Sequence, residues 1–191
     1  MAVSVDDVPQ IIELNDFGGD WEKYIDAIYN VFYGDFVEHR CKFGSNQLRL
    51  KWHPLFQDRA YTFYHMTHKG DIESERIPDL RRCERMPWAR PTVEEAEFRS
   101  LKFWEQERNG RHRICIWLDV DNGDDYYCII EVRKEYVLMW TAFYADYPNA
   151  ARKKESEYQN WLSKQNGKHW TPDELVRDIQ SRLPKNKQGS H

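Results

Sequence analysis

The segment RICIWLDVDNGDDYYCIIEVRKEYVLMWTAFY, residues 113–144, decides the fold class of this 191-residue chain. It contains three apolar runs, at 113–120, 126–133 and 136–144, that are rich in β-branched and aromatic residues. An acidic turn with an Asn-Gly pair separates the first two runs, and Lys134-Glu135 tightly joins the last two. The segment therefore predicts an antiparallel β-meander.

Helical patterns lie on both sides of the predicted meander. Apolar residues recur at nearly helical spacing over 21–33, where Asp20 suits the N-cap and Gly34 the end. A charged helix is predicted over 149–164, and Thr171-Pro172 predicts the start of a last one.

The region before the meander has a mixed pattern. A short helix is predicted over 79–85, and the prolines at 87 and 91 predict an extended linker. Thr92 and Glu95 match a capping box and predict a helix up to Asn109-Gly110. Alternation over 48–52 predicts a half-exposed strand, whereas the aromatic run from Tyr61 to Tyr64 suits either a strand or a buried helix.

This order predicts an α+β fold with N-terminal helices, an antiparallel meander and C-terminal helices. We expect a single domain over 1–188, with a loose leader at 1–20 and a helical tail with a frayed end at 166–188. The final Gly-Ser-His at 189–191 resembles a remnant of an expression tag.

Composition limits the function classes. The formal net charge of −4 argues against a protein that coats nucleic acid with its whole surface, but it permits one basic cleft on an acidic body. The four cysteines form no CxxC pair, which favours buried thiols and a cytoplasmic setting. Neither a signal-peptide pattern nor a long apolar run is present, so no membrane partner is expected.

The segment FYHMTHKGDIESERIPDLRRCERMPWARP, residues 63–91, has side chains suited to phosphate chemistry. His65 and His68 can transfer protons near neutral pH, and Trp88 can stack on a base. Arginine stays charged and forks onto phosphate; the arginines of this segment are Arg76, Arg81, Arg82, Arg85 and Arg90. Metal-free RNA cleavage needs a base, an acid and cations on the phosphorane, so these residue types predict it.

Three residues of the meander extend this candidate site. Thr141 can hydrogen-bond phosphate or ribose, Tyr144 can stack on a base, and Arg133 lies at a strand end where it can contact substrate. Thr141, Arg133 and the upstream arginines also have simpler structural interpretations. Thr141 suits any strand, Arg133 suits any surface, and the upstream arginines suit a solvated helix face that is paired with glutamates.

Metal and cofactor chemistry has less support. His65, His68 and Asp71 have an H-x2-H-x2-D spacing, but Gly70 interrupts the stretch and no further ligand completes the pattern. The acidic turn at 119–125 lacks the bidentate glutamate of a calcium loop. No phosphate-binding loop or hydrolase motif occurs, so no cofactor or metal is predicted.

The same residues resemble a known family. Phe63-Tyr64-His65, then R-x-P-D-L-R-R-C-E-R at 76–85, then W-T-A-F-Y at 140–144 resemble small phage- and plasmid-associated bacterial proteins. These proteins are similar to the phage-type members of the barnase/EndoU/colicin D/RelE-like (BECR) superfamily of metal-independent ribonucleases and toxins. The resemblance covers about residues 60–160.

The resemblance implies a four-stranded antiparallel sheet that follows N-terminal helices, and a bacterial ribonuclease or toxin. It marks His65 as the general acid/base, Arg82 or Arg85 as the cation that stabilises the transition state, and Thr141 as a phosphate or ribose contact. It also implies RNA as the substrate, with transfer RNA as one candidate, and an antitoxin or immunity protein as a partner. A second histidine is not general in the superfamily.

Three functional hypotheses therefore stay open. The first is an endoribonuclease that leaves a 2′,3′-cyclic phosphate. The second is a non-catalytic module that binds nucleic acid or protein through the Arg/Trp segment. The third is a structural protein whose aromatic residues build its core and an interface. Convergence of His65, Arg82 or Arg85, and Thr141 in one concave site would favour the first hypothesis.

Overall fold

The computed structural model describes residues 2–145 and 149–184. Its helices are α1 (Trp21–Tyr33), α2 (Tyr61–Thr67), α3 (Leu80–Glu84), α4 (Met86–Glu94), α5 (Ala150–Ser163) and α6 (Pro172–Arg182). Its strands are β1 (Lys42–Phe43), β2 (Asn46–Arg49), β3 (His68–Lys69), β4 (Ile77–Pro78), β5 (Lys102–Arg108), β6 (Arg111–Asp119), β7 (Asp125–Val132) and β8 (Val137–Tyr144). No helix within the described ranges is long and apolar enough to cross a membrane.

In the described part of the chain, the main sheet has six strands in the order β1-β2-β8-β7-β6-β5. Strands β5 to β8 form the antiparallel meander, and β2 pairs in parallel with the start of β8 at Val137 and Leu138. The α+β class is therefore confirmed. The sheet is mixed rather than purely antiparallel, and α2, α3 and α4 lie between its strands in the chain instead of only at the two ends.

The predicted helix from Thr92 to Asn109-Gly110 is wrong. Thr92 lies inside α4, where its hydroxyl donates to the carbonyl of Trp88 at 2.7 Å instead of capping a new helix. Residues 102–108 form β5, which pairs with β6 along its whole length. Pairing with a buried strand outweighs the local helical pattern. The predicted extended linker at 87–91 is also helical, as part of α4.

Several other predicted elements are confirmed. Asp20 caps α1, Asp79 caps α3, and Thr171 caps α6 in a capping box. The aromatic run from Tyr61 forms the buried helix α2. Helix α1 does not end at Gly34, since a π-helical turn continues over Gly34–Glu38.

The two faces of the main sheet have different coverings. The first face carries Ile114, Ile116 and Ile130, which pack with α1, α4 and α6 in the main core. The second face carries Trp104, Cys115, Trp117, Tyr127 and Ile129, which pack against Ala150, Tyr158 and Trp161 of α5. Helix α5 lies over β5, so it covers the end of the second face that is farthest from β2.

The first twenty residues do not form the loose leader that we expected. Val3 bridges to Val120, and the carbonyl of Pro9 accepts a hydrogen bond from the indole of Trp88 at 2.6 Å. The carbonyl of Ile12 accepts one from the Tyr24 hydroxyl at 3.0 Å. Apolar side chains of this segment thus close one side of the core. The expected frayed end at 185–188 and the tag-like 189–191 lie outside the described residues.

Candidate functional site

Helix α2 brings the predicted site residues together by covering the edge of β8. In the described residues, β2 pairs with the first two residues of β8 and no further. Beyond them, the hydroxyl of Thr62 in α2 donates to the carbonyl of Met139 in β8 at 3.4 Å. The carbonyl of His65 accepts hydrogen bonds from the Thr141 hydroxyl at 2.7 Å and from the Arg82 guanidinium at 3.2 Å. His65, Arg82 and Thr141 therefore meet, but at the main chain of His65 and not at its imidazole ring.

The imidazole of His65 is held by a carboxylate. Its Nε2 lies 3.0 and 3.1 Å from the two carboxylate oxygens of Glu73, and the residue is 4% exposed. Burial lowers the pKa of His65 to about 4, and the nearby charge of Arg76 acts in the same direction. The ring is therefore neutral at pH 7 and donates Nε2–H to Glu73. In that tautomer Nδ1 holds the lone pair and is the atom that can accept a proton.

Glu73 stays ionised beside this ring. Its partial burial opposes ionisation, but His65, a hydrogen bond from Tyr61 and the charge of Arg76 together lower the pKa of Glu73. The Nε of Arg76 lies 3.5 Å from the carboxylate. The pair thus joins a neutral imidazole to a charged carboxylate, which orients the ring and would stabilise an imidazolium.

Aromatic rings and a lysine complete the surroundings of His65. The rings of Tyr61 and Trp140 lie with centroids 4.5 and 5.3 Å from that of the imidazole. The ammonium of Lys51 lies 3.7 Å from the centre of the Tyr61 ring, and its charge also lowers the pKa of His65. Two cations, Lys51 and Arg76, are therefore near the imidazole.

His68, a predicted substrate contact, is also buried. Its ring packs on Tyr64 with centroids 4.5 Å apart, and its Nδ1 lies 2.9 Å from the Thr67 hydroxyl. Burial lowers the pKa of His68 to about 4. Together with Arg76 it lines a cavity of about 230 Å³.

Arg82 and Arg85, the predicted transition-state cations, already have partners. Arg82 donates to the carbonyls of His65 and His68, which lie at the end of α2. Arg85 is buried between Glu84 at 3.0 Å and Asp124 at 3.2 Å. Both guanidinium groups therefore stabilise the packing of α3 against α2 and the β6–β7 turn.

Tyr144 and Trp88, the predicted stacking residues, belong to that packing. The Tyr144 hydroxyl donates to Asp124 at 2.9 Å, and its ring lies under the Arg85 guanidinium at 4.1 Å. Burial and this hydrogen bond raise the pKa of Tyr144. Trp88 is 2% exposed and its indole donates to Pro9, so the prediction that it stacks on a base is wrong.

The remaining predicted arginines are ion-paired with carboxylates. Arg81 is exposed and pairs with Glu84, and Arg90 pairs with Asp35 in the π-helical turn that follows α1. Arg133 pairs with Glu131, a buried residue of β7. Neither Arg81 nor Arg90 is hydrogen-bonded to the histidines, so a single cluster of the five arginines with His65 does not form.

The structure adds residues that the sequence did not single out. Glu73 is one of the glutamates that the sequence offers only as ion partners of the arginines, although its eight-residue separation from His65 allows a loop to return it to the ring. Lys51 and Trp140 flank the imidazole. The signal for Trp140 was its place beside Thr141 in W-T-A-F-Y.

Comparison with known proteins adds no relative. No protein-family model, curated protein or solved structure matches this chain. Within residues 2–145 and 149–184, no group of three or more His, Cys, Asp or Glu side chains is placed to hold a metal ion.

Proposed function

We propose that this protein cleaves RNA without a metal ion and that it is a phage- or plasmid-type member of the BECR superfamily. The observation that carries the proposal is the hydrogen-bonded His65–Glu73 pair, beside the cations Lys51 and Arg76. The meander of β5 to β8 and the sequence resemblance support it further.

The proposed reaction uses the pair as an acid–base centre. Nδ1 of His65 takes the proton of a ribose 2′-hydroxyl, and the 2′-oxygen bonds to phosphorus as the bond from phosphorus to the 5′-oxygen breaks. The leaving 5′-oxygen takes a proton from water, His65 returns its proton to solvent, and the product carries a 2′,3′-cyclic phosphate. Glu73 stabilises the imidazolium, while Lys51 and Arg76 stabilise the charge on the phosphorane.

Substrate access sets a condition on this proposal. His65 is 4% exposed, so its ring must be uncovered before a ribose can reach it. The loop that carries Glu73 joins β3 to β4, which are held together by only two residue pairs. Because Glu73 and Arg76 belong to this loop and act in the reaction, the proposal requires residues 70–76 to open for substrate entry and to close again over the bound ribose.

The experiment compares the wild-type chain with His65→Asn and Glu73→Gln on structured and single-stranded RNA in the presence of EDTA. We expect cleavage with a cyclic phosphate end, a loss of at least about a hundredfold in His65→Asn, and a loss of roughly tenfold or more in Glu73→Gln. Arg177→Ala, an exposed arginine on α6, is the control and should cleave normally. Absence of cleavage by the folded wild type, with or without metal, would contradict the proposal.

A second candidate function is non-catalytic binding of nucleic acid or protein. It is favoured by the burial of both histidines, which leaves neither imidazole exposed for proton transfer. Binding that weakens steeply with salt but is unchanged in His65→Ala would select this candidate.

Two further proposals concern the setting of the protein. The four cysteines are free thiols, and all are buried, which supports a cytoplasmic location. As a toxin-like ribonuclease the chain would need an antitoxin or immunity protein, and co-expression with neighbouring genes would test for one.

A further inference from the structure

Three pairs of a cation and an aromatic ring lie on or beside the main sheet and α2, and the rings of two of them, Tyr61 and Trp140, flank the His65 ring. The guanidinium of Arg49 lies 4.4 Å from the centre of the Tyr136 ring, and that of Arg113 lies 4.4 Å from the Trp140 ring. The third pair is Lys51 on Tyr61, at 3.7 Å. We call these six residues the cation–aromatic surface.

Strand register places the two arginines of this surface on one face of the sheet. Arg113 on β6 pairs with Glu131 on β7, Glu131 pairs with Leu138 on β8, and Leu138 pairs with Arg49 on β2. Laterally paired residues point to the same face. The two arginines therefore lie on the second face of the main sheet. Helix α5 covers this face at β5, the end of the sheet opposite to β2.

The surface has an excess of positive charge. Glu131 is 1% exposed and accepts from Arg111, Arg113 and Arg133, so a single carboxylate faces three guanidinium groups. Arg49 and Lys51 form no ion pair with any carboxylate within the described ranges. The positive potential that the arginine segment at 76–90 was expected to supply is therefore found on the sheet.

The chemistry of the surface fits one class of ligand. Partly exposed rings can stack on unpaired bases, and the guanidinium groups beside them can bind phosphates along the same strand. A duplex hides its base faces and could use only the cations. We propose that the cation–aromatic surface binds single-stranded RNA.

The position of the surface connects it to the proposed reaction. The Trp140 ring is 5.3 Å from the imidazole of His65, and the Tyr61 ring is 4.5 Å from it. A strand bound across Arg113 and Trp140 would thus enter the region of the His65–Glu73 pair. The choice of RNA rests on the proposed function, whereas the charge and stacking arguments rest on the surface alone.

The experiment measures binding of a short 2′-O-methyl oligouridine, which cannot be cleaved because its 2′-oxygen carries no proton. We expect Trp140→Ala to weaken binding about tenfold and Trp140→Phe to weaken it less, since a ring is kept. Arg49→Ala and Arg113→Ala should each lower the slope of log affinity against log salt by about 0.7. Arg177→Ala on α6 is the control and should bind as the wild type does.

Arg49→Ala keeps the test valid if Arg113→Ala fails to fold, because Arg49 is exposed and forms no ion pair with Glu131. Equal binding by wild type, Trp140→Ala and Arg49→Ala would overturn the proposal. Equal affinity for a duplex, or tighter binding of polyglutamate than of RNA, would overturn it too. If RNA is cleaved but these variants bind normally, this inference alone fails. If they lose binding while the wild type cleaves nothing, only the proposed reaction fails.

Discussion

At the scale of single residues, burial decides what the histidines can do. The residue types of His65 and His68 were visible in the sequence, and they suggested proton transfer near neutral pH. Their burial was not visible, because it depends on α2 packing under Phe56, Trp140 and the Glu73 loop. Both rings are neutral at pH 7 as a result, with pKa values of about 4.

These two histidines predict a stability that depends on pH. Their pKa values rise from about 4 in the folded chain to the ordinary value of 6.5 on unfolding. The unfolded chain therefore binds more protons between those values, and the free energy of unfolding falls as the pH falls from 6.5 to 4. Each histidine accounts for a loss on the order of 2 to 3 kcal/mol over that range.

Urea unfolding at pH 7 and pH 4.5 measures this effect. His68→Gln should unfold more easily than wild type at pH 7 and lose less stability on acidification, since one buried titrating group has been removed. His53→Gln, at an exposed histidine, should keep the wild-type dependence. An unchanged pH dependence in His68→Gln would show that the ring is accessible and titrates normally.

At the scale of elements, local sequence patterns correctly predicted the helices that have strong N-caps. They predicted the wrong element where residues pair with a strand that is distant in the sequence. Asp20, Asp79 and Thr171 were predicted as caps because a cap needs only its own neighbours in sequence. Thr92 and Glu95 had the same local pattern, but residues 102–108 pair with β6. That pairing depends on a strand that follows later in the chain, so the sequence around Thr92 could not reveal it.

The cover of β8 by α2 is another feature that the sequence did not reveal. Among the residues that the structure describes, no strand pairs with the edge of β8 beyond Leu138, and α2 blocks this edge with side-chain hydrogen bonds. Thr141 was predicted to contact phosphate, yet its hydroxyl donates to the carbonyl of His65. This hydroxyl positions α2, and with it the His65 ring.

Thr141 and Arg82 should show coupled effects on stability because they share one acceptor. In Thr141→Val or in Arg82→Met the carbonyl of His65 keeps one of these two partners. We expect Thr141→Val to lower the free energy of unfolding by about 1 kcal/mol. The double variant should lose at least about 0.5 kcal/mol more than the sum, because both donors are then gone.

Urea denaturation of the four chains in this double-mutant cycle gives the coupling energy. Thr141→Ser keeps the hydroxyl and should be close to wild type, which separates the hydrogen bond from the volume of the side chain. Strictly additive losses would mean that the two donors do not act on the same carbonyl in solution.

At the scale of the whole molecule, long-range ion pairs distribute the charge of an acidic chain. The sequence showed five arginines in one segment, but their partners come from elsewhere: Asp35 for Arg90 and Asp124 for Arg85. Such ion pairs depend on the tertiary fold, so the sequence alone could not show that these arginines have carboxylate partners. Two cations that form no ion pair in the described part of the chain, Arg49 and Lys51, lie outside that segment.

Arg85 and Arg81 form a matched pair for testing this distribution. Both reach the same oxygen of Glu84, at 3.0 and 3.3 Å, but Arg85 is buried and also bonds Asp124, whereas the Arg81 side chain is 59% exposed. Removing a buried partner leaves an uncompensated charge, so Arg85→Met should lower the free energy of unfolding by roughly 2 to 4 kcal/mol. Arg81→Met should change it by less than about 0.5 kcal/mol.

Equilibrium unfolding in urea, in low salt and in about 1 M NaCl, checks both values. The effect of Arg85→Met should persist in high salt, because the buried pair is poorly screened, while any effect of Arg81→Met should vanish. If Arg85 instead contacts RNA, as the sequence suggested, Arg85→Met would leave stability unchanged and weaken RNA binding. The two outcomes are opposite, since a guanidinium held by Glu84 and Asp124 is not available to a phosphate.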